Sequence, residues 1–212
     1  MSSAKEVAAK NALDYILPKL EFETVVGIGT GSTSEFFIDA LSSYKHLFKG
    51  AVSSSERSTK RLKRHGISVF DVNLVNEVSF YVDGADECDP LLNLIKGGGG
   101  AHTKEKIIAT IAKEFLCIID ESKLVEKLGA FGVPVEVLNE ARSFAAREII
   151  KLGGTPLLRT GILTESSNPI IDIRNLDLSN PQSMEIALNK IPGIIENGIF
   201  AIRKPDQIFV GK

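Results

Sequence analysis

The stretch Thr24-Val25-Val26-Gly27-Ile28-Gly29-Thr30-Gly31-Ser32-Thr33 decides the fold of this chain. Residues 24–29 are apolar and rich in β-branched side chains, which is typical of a strand buried in a parallel sheet. The glycine-rich turn after them leads into a segment in which apolar residues recur at helical spacing, namely Phe37, Ala40, Leu41 and Tyr44. A strand, a glycine turn and a helix in this order predict the opening unit of an α/β sheet.

The alternation of strands and helices continues beyond this unit. Apolar segments at 67–72, 78–82 and 116–119 are predicted strands. The helix before the last of them is predicted to bury one face, formed by Ile108, Ile111, Ala112 and Phe115. Strands that alternate with helices indicate a parallel sheet covered on both faces. We therefore predict an α/β fold with a Rossmann-like parallel sheet flanked by helices.

The pattern changes after about residue 128. A strand-helix-strand group followed by a second such group predicts a small α+β domain of the split βαβ, ferredoxin-like kind. We assign residues 1–128 to an α/β catalytic and phosphate-binding domain, and 129–203 to the small domain, which is expected to carry the oligomer contact. The strand at 204–212 is expected to return to the first domain.

The composition argues against several classes of protein. The 212 residues include 25 Lys and Arg against 27 Asp and Glu, a net charge of −2, whereas binding to nucleic acid or anionic membranes needs a basic face. Two cysteines are too few for a disulfide framework and indicate a reducing compartment. No apolar run approaches the ~20 residues that span a bilayer, and the N-terminal residues lack a signal-peptide pattern. We expect a cytoplasmic protein with no nucleic-acid or membrane partner.

The first candidate site is the turn at residues 27–33. Glycines allow a ligand to approach the backbone, and the N–H groups at a helix start favour an anion. The hydroxyls of Thr30, Ser32 and Thr33 suit a phosphate monoester. The turn lacks the Gly-Lys-Ser/Thr ending of a P-loop and the last glycine of a dinucleotide fingerprint. The alternative is a structural turn with a Ser/Thr cap.

The second candidate site is Asp83-Gly84-Ala85-Asp86-Glu87-Cys88-Asp89, which follows an apolar strand. Clustered carboxylates are costly unless they are solvated, protonated or bound. Ligands of open parallel sheets lie beyond the carboxyl ends of the strands, where this motif is predicted to be. The alternatives are a solvated Asp-Gly turn and, more weakly, a metal site, although the spacing does not match a calcium loop.

The third candidate site is the glycine run that follows Lys96, together with Glu105. Four consecutive glycines between a strand and a helix are costly in chain entropy, and close approach to a ligand would justify that cost. Lys96 can neutralise a developing oxyanion, and Glu105 in the first helical turn can act as a base. The alternatives are a flexible connector and a glutamate that only compensates the helix dipole.

Together these motifs resemble those of the type A family of ribose-5-phosphate isomerases. The resemblance spans the whole chain. It rests on Gly-Ile-Gly-Thr-Gly-Ser-Thr at 27–33, Ser-Ser-Glu-Arg-Ser at 54–58, Asp-Gly-Ala-Asp-Glu at 83–87, Lys-Gly-Gly-Gly-Gly-Ala at 96–101 with Glu105-Lys106, Asp-Glu-Ser-Lys at 120–123 and Pro-Val-Glu-Val at 134–137. So many motifs in one order are not expected by chance.

The resemblance implies an aldose–ketose isomerase of the non-oxidative pentose phosphate pathway. It would interconvert D-ribose 5-phosphate and D-ribulose 5-phosphate through an enediol or enediolate, with Glu105 as the proton-shuttling base. Asp83 would accept or return the ring hydroxyl proton, Asp86 would hold sugar hydroxyls, and Lys96 with the glycine-loop N–H groups would stabilise the oxyanion. The residues implied to contact the sugar phosphate are Thr30, Gly31, Ser32, Thr33, Asp83, Gly84, Ala85, Asp86, Lys96, Gly97, Gly98, Gly99 and Lys123, with Lys5 matching more weakly.

No cofactor and no metal are expected, because donor groups alone can supply the electrostatic stabilisation. The small domain offers a contact surface, so we expect a homodimer, with a tetramer as the alternative. Two other functions stay open at this point. Another sugar-phosphate isomerase could use a similar sheet and base. A non-catalytic sugar-phosphate sensor should carry a basic helix-turn-helix, and no segment of the sequence suits one.

Overall fold

The computed structural model describes residues 3–212, and these form two compact units. The first unit contains residues 3–84, 104–122 and 205–212, and the second contains 85–103 and 123–204. In chain order the helices and strands are α1 Ala4–Ile16, β1 Val25–Ile28, α2 Ser32–Ser42, β2 Gly50–Ser53, α3 Glu56–Arg64, β3 Val78–Asp83, β4 Glu87–Cys88, β5 Leu94–Ile95, α4 His102–Ile111, β6 Ala112–Asp120, β7 Val133–Val137, α5 Arg142–Lys151, β8 Thr155–Leu158, β9 Ile170–Arg174, α6 Pro181–Asn189, β10 Ile194–Asn197, β11 Ile199–Phe200 and β12 Gln207–Gly211.

The first unit is built on a five-stranded sheet with the order β12-β6-β3-β1-β2. Every neighbouring pair is parallel. Apolar residues of the strands, such as Val26 and Leu116, pack with Leu13 of α1 and with Phe37 and Leu41 of α2 in one buried cluster. Because the strands are parallel, the carboxyl ends of β1, β2 and β3 lie at one edge of the sheet. The residues that follow these strands are therefore neighbours.

The second unit contains an antiparallel four-stranded sheet with the order β10-β7-β9-β8. Along the chain its elements run β7, α5, β8, β9, α6, β10, which is the split βαβ arrangement of the ferredoxin-like fold. A separate three-stranded sheet has the order β11-β5-β4. The predicted fold class, a parallel α/β sheet with a small α+β unit, is confirmed.

The segment 67–72, a predicted strand, forms no strand in the structure. Val69 makes a single isolated bridge to Ala51. Pairing stops there because the chain turns at Asp71, whose side chain accepts a hydrogen bond from the N–H of Asn73 and caps a short 3-10 helix. A single bridge to the neighbouring strand is too short a pairing to form a β-strand.

The helix α4 is shorter than the sequence predicts. It ends at Ile111, and Ala112 and Phe115 belong to β6, where they pair with Val78 and Tyr81 of β3. Pairing with a neighbouring strand overrides the helical spacing of these apolar residues, since β-sheet contacts are non-local.

The division of the chain differs from the predicted boundary at residue 128. Residues 85–103 cluster with the second unit, where β4 and β5 pair with each other and β5 pairs with β11. The strand β12 pairs with β6 of the first unit. Among residues 3–212, no helix is long and apolar enough to cross a bilayer.

Candidate active site

The loop between β1 and α2 passes very close to the carboxylate of Asp83. A Cβ atom on Gly29 would lie 1.8 Å from Asp83 Oδ1, so no side chain fits at this position. Gly31 precedes α2 with φ +112°, a left-handed conformation that glycine adopts without strain. The two glycines allow the loop to contact Asp83 and then enter the helix.

Asp83 is the last residue of β3, and its side chain is fully buried. Its Oδ1 accepts hydrogen bonds from the backbone N–H groups of Thr30 at 3.0 Å and Gly84 at 2.7 Å. Its Oδ2 accepts a hydrogen bond from the Tyr81 hydroxyl at 2.5 Å. Burial of a carboxylate is costly unless its oxygens are hydrogen-bonded. These donors meet that need, and they fix the orientation of the carboxylate.

Tyr81 stands near two acidic groups of the first unit. It lies two residues before Asp83 on β3, so the two side chains project from the same face of the strand. Burial raises the pKa of the Tyr81 hydroxyl well above its usual range, and the negative charges of Asp83 and Glu105 raise it further. Tyr81 therefore keeps its proton at neutral pH. Glu105, in the first turn of α4, is only 4% exposed.

The start of α2 carries the hydroxyl side chains of Ser32 and Thr33. The first N–H groups of a helix have no partner within the helix and favour an anion. Lys5, on α1, donates from Nζ to Ser32 Oγ at 3.0 Å, which brings a cation to this helix start. Thr30 is arranged differently, because its hydroxyl shares a 2.8 Å hydrogen bond with that of Ser54.

In the second unit, charged groups hold the glycine loop. Asp86 Oδ2 accepts a hydrogen bond from the N–H of Gly98 at 2.8 Å. Arg159 donates from Nη1 to the carbonyl oxygens of Gly97 and Gly98, at 3.1 and 3.2 Å. The same guanidinium pairs through Nε and Nη2 with the carboxylate of Asp172, at 2.8 and 2.5 Å. Bidentate pairing with Asp172 fixes the plane of the Arg159 guanidinium. The fixed guanidinium in turn holds the carbonyl groups of Gly97 and Gly98 in place.

Two of the lysines predicted to bind substrate, Lys96 and Lys123, lie in the second unit. Lys96 is 3% exposed, and its backbone N–H donates to the carbonyl of Gly198 at 2.9 Å. Its ammonium group lies 5.5 Å from the centroid of the Phe200 ring, within the range of a cation–π contact. Lys123 ends a short 3-10 helix and is half-buried.

A comparison with known families decides the assignment. Residues 50–212 match the model for ribose 5-phosphate isomerase A, also called phosphoriboisomerase A. The chain belongs to this family.

Solved ribose 5-phosphate isomerases are similar over nearly the whole chain. Isomerase A from Neisseria gonorrhoeae has 44% sequence identity and a TM-score of 0.93, over 99% of this chain and 92% of that one. The enzyme from Methanocaldococcus jannaschii has 35% identity and a TM-score of 0.91, over 99% and 94% of the two chains. A D-ribose-5-phosphate isomerase in complex with phospho-erythronic acid has 38% identity and a TM-score of 0.89, over 98% and 93%.

Membership in the ribose 5-phosphate isomerase A family confirms the predicted family and the predicted class of enzyme. The chain is an aldose–ketose isomerase, and its substrate is a sugar phosphate. The alternative of a non-catalytic sensor domain has no support from these relatives.

The candidate residues of this isomerase fall into two groups. The first unit holds Lys5, residues 30–33, Asp83, Gly84 and Glu105, and the second holds Ala85, Asp86, residues 96–99 and Lys123. Within the first unit the structure brings the N–H groups of Thr30 and Gly84 onto Asp83. Within the second it brings the N–H of Gly98 onto Asp86.

Three polar residues of the site were missed by sequence reasoning. Tyr81 could have been found, because the two-residue period of a strand places it beside Asp83. Ser54 was noticed only as the first residue of the motif at 54–58, and no role was assigned to it. Arg159 gives no local signal, because it reaches the glycine loop from 61 and 62 residues away in the sequence.

The other carboxylates of the acidic motif have structural partners. Glu87 accepts hydrogen bonds from the backbone N–H groups of Gly129 and Phe131, at 2.6 and 2.5 Å. Asp89 accepts from the N–H groups of Leu91 and Asn93, at 2.9 and 2.8 Å. In the described chain, residues 3–212, no three His, Cys, Asp or Glu side chains are grouped so as to hold a metal ion.

Proposed function

We propose that the chain interconverts D-ribose 5-phosphate and D-ribulose 5-phosphate through an enediolate, with Glu105 as the base and Asp83 as the group that opens the sugar ring. The family match supports the overall reaction. The assignment of steps is carried by one observation, that the first unit buries two carboxylates, Asp83 and Glu105. The near-neutral charge of the chain, −2, fits a cytoplasmic enzyme that has no nucleic-acid or membrane partner.

Ring opening is the first step for ribose 5-phosphate, because most of this sugar is a cyclic hemiacetal. In the proposal, Asp83 takes the proton of the C1 hydroxyl, the bond between C1 and the ring oxygen breaks, and the proton returns to that oxygen. The backbone N–H groups of Thr30 and Gly84 donate to Asp83 Oδ1 and hold the carboxylate next to the loop before α2. A positioned group of this kind is what general acid–base catalysis needs.

Proton transfer between carbons is the second step. Glu105 removes the proton from C2 of the open-chain aldose, which leaves an enediolate, and delivers a proton to C1, while a proton passes from the C2 oxygen to the C1 oxygen. Glu105 is held in the first turn of α4 and is only 4% exposed, so it is largely screened from bulk water. Lys96 and the N–H groups of the glycine loop are assigned to the oxyanion.

A related isomerase supports the need for an anion site at both ends of the substrate. The relative with 38% identity was solved with phospho-erythronic acid. That acid carries a phosphate at one end and a carboxylate, planar and negative like an enediolate, at the other. In this chain we assign the phosphate to Ser32, Thr33 and the Lys5 ammonium, with Lys123 as a further cation.

The small unit is proposed as the site of self-association, giving a homodimer or a tetramer. The strand β8 is at the edge of its sheet, and apolar side chains on it and after it are about half exposed: Leu157, Leu158, Ile162 and Leu163. An exposed apolar edge strand is a surface that proteins normally cover. Light scattering should give a mass of two or four times 23.0 kDa, and a monomer would overturn the proposal.

An enzymatic assay tests the function. The purified chain should convert ribose 5-phosphate to ribulose 5-phosphate, and exhaustive treatment with a strong chelator should leave the rate unchanged. Activity on an amino-sugar phosphate in place of ribose 5-phosphate would reassign the substrate. A rate lost to the chelator and restored by a divalent ion would move Asp83 and Asp86 from sugar binding to metal coordination.

The phosphate site gives a separate prediction. Replacing both Ser32 and Thr33 with alanine should raise KM for ribose 5-phosphate more than it lowers kcat, because these groups bind the end of the substrate that does not react. Some loss of kcat is expected, since binding energy at a remote group also orients the sugar. Steady-state kinetics measure both constants. A double variant with an unchanged KM would show that these hydroxyls only cap α2.

A further inference from the structure

Tyr81 is buried in the first unit and has no part in the reaction as derived so far. Its hydroxyl donates to Asp83 Oδ2 at 2.5 Å. Its ring packs against Phe115 with centroids 5.1 Å apart. Gly27 lies opposite on β1, and a Cβ atom there would come within 2.9 Å of the Tyr81 ring. The missing side chain at Gly27 therefore makes room for an aromatic ring at this place.

The loop before α2 holds the other side of the same carboxylate. The backbone N–H of Thr30 donates to Asp83 Oδ1 at 3.0 Å. The Thr30 hydroxyl lies 2.8 Å from that of Ser54, which is fully buried. Thr30 is therefore fixed in the loop, and the carboxylate of Asp83 is held through Oδ1 by the loop and through Oδ2 by Tyr81.

We infer that Tyr81 is a positioning residue of the isomerase, which holds Asp83 Oδ2 in the orientation required for ring opening. The inference rests on the ring-opening role proposed for Asp83. The backbone N–H groups of Thr30 and Gly84 hold Oδ1, and the Tyr81 hydroxyl holds Oδ2, so that bonds to both oxygens fix the plane of the carboxylate. The raised pKa of Tyr81 keeps this hydroxyl protonated as a donor.

Tyr81→Phe tests the inference, because phenylalanine keeps the ring and removes the hydroxyl. We expect kcat for ribose 5-phosphate to fall roughly 10- to 100-fold, as for the loss of a hydrogen bond to a charged group, with KM within about threefold of wild type. Tyr15→Phe is the matched control. Tyr15 also donates to a carboxylate in the first unit, Glu114 Oε2 at 2.7 Å. Removal of the Tyr15 hydroxyl should leave kcat within about twofold of the wild-type value.

Isotope exchange separates positioning of Asp83 from a general structural defect. Ribulose 5-phosphate cannot form a furanose ring, because its C5 oxygen carries the phosphate, so Glu105 can exchange its C1 proton with solvent deuterium without ring closure. In Tyr81→Phe, exchange should fall much less than net formation of ribose 5-phosphate. A parallel loss of exchange and turnover would overturn the inference.

A double variant shows whether Tyr81 acts through Asp83. In an Asp83→Asn background, Tyr81→Phe should cause little further loss of turnover, because the effects of coupled residues are not additive. Fully additive effects of the two substitutions on turnover would overturn the inference. If Asp83→Asn is inactive while Tyr81→Phe matches wild type, the inference fails and the proposed function stands. If Asp83→Asn keeps wild-type turnover, both the inference and the proposed ring-opening role of Asp83 fail. Should Tyr81→Phe fold poorly, 3-fluorotyrosine incorporated at residue 81 keeps the ring and changes the acidity of the hydroxyl, and it should change the ratio of exchange to turnover; an unchanged ratio would overturn the inference.

Discussion

Glu105→Gln should lower turnover of ribose 5-phosphate by ~10²–10⁴-fold or more, the range expected when a general base is removed. Glutamine keeps the shape of the side chain and most of its hydrogen bonding, so the variant should fold and still bind sugar phosphate. Exchange of the substrate C2 proton with deuterated solvent should disappear in parallel with turnover. Kinetics in a coupled assay and exchange followed by NMR measure the two effects.

The control for this variant addresses the helix dipole. Glu56 stands in the first turn of α3, as Glu105 does in α4, but its side chain is 65% exposed. Glu56→Gln should leave turnover within about twofold, because a dipole interaction at an exposed site contributes only ~0.3–1 kcal/mol to stability. If Glu105→Gln keeps more than about a tenth of wild-type turnover, a barrier change under ~1.4 kcal/mol, Glu105 is not the base. Asp83 would then be the leading candidate.

Gly29→Ala should reduce kcat/KM by ~10²-fold or more, although it adds only one methyl group. The new Cβ atom would lie 1.8 Å from Oδ1 and 1.9 Å from Cγ of Asp83. Relief of that clash requires the carboxylate or the loop to move by roughly 1 Å, and a displacement of this size in a catalytic group costs on the order of 10²-fold in rate. The expected readouts are kcat/KM and the melting temperature.

Gly153→Ala is the matched control for this steric effect. Gly153 has φ +87°, and a Cβ atom there would have no neighbour within 4 Å. Alanine at this site introduces backbone strain, with an expected cost of ~1 kcal/mol in unfolding free energy, and activity should be unchanged. Gly29 lacks a positive φ, so the effect of its substitution is steric. A Gly29→Ala variant with wild-type kcat/KM would show that the position of Asp83 does not matter.

Local patterns were sufficient to predict the fold class. The glycine turn after β1 and the end of β3 at Asp83 both follow from short apolar segments with clear boundaries. Non-local pairing decided the parts that were predicted wrongly. Ala112 and Phe115 have helical spacing but pair with β3, and Val69 meets β2 at one position only. The pairing of these residues with β3 or β2 cannot be predicted from their neighbours in the sequence.

The same distinction applies to the candidate site. Asp83, Lys96 and Glu105 stand in sequence motifs whose residue types indicate acid–base chemistry and oxyanion binding. The groups that hold the site in place are different, because Tyr81 looks like an ordinary residue of a buried strand and Arg159 lies far from the loop that it contacts. The strand period places Tyr81 beside Asp83, but the hydrogen bond between them and the contacts of Arg159 are seen only in the three-dimensional structure.

The order of segments in the first unit has a consequence for how the chain folds during synthesis. This unit needs residues 3–84, 104–122 and 205–212, and β12, in the last of these, forms the edge of its sheet beside β6. The ribosome therefore synthesises all four strands of the antiparallel sheet before it synthesises β12, the last strand of the parallel sheet. Long-range pairing of this kind raises contact order and slows folding. Until β12 arrives, the edge of β6 is a place where nascent chains can aggregate.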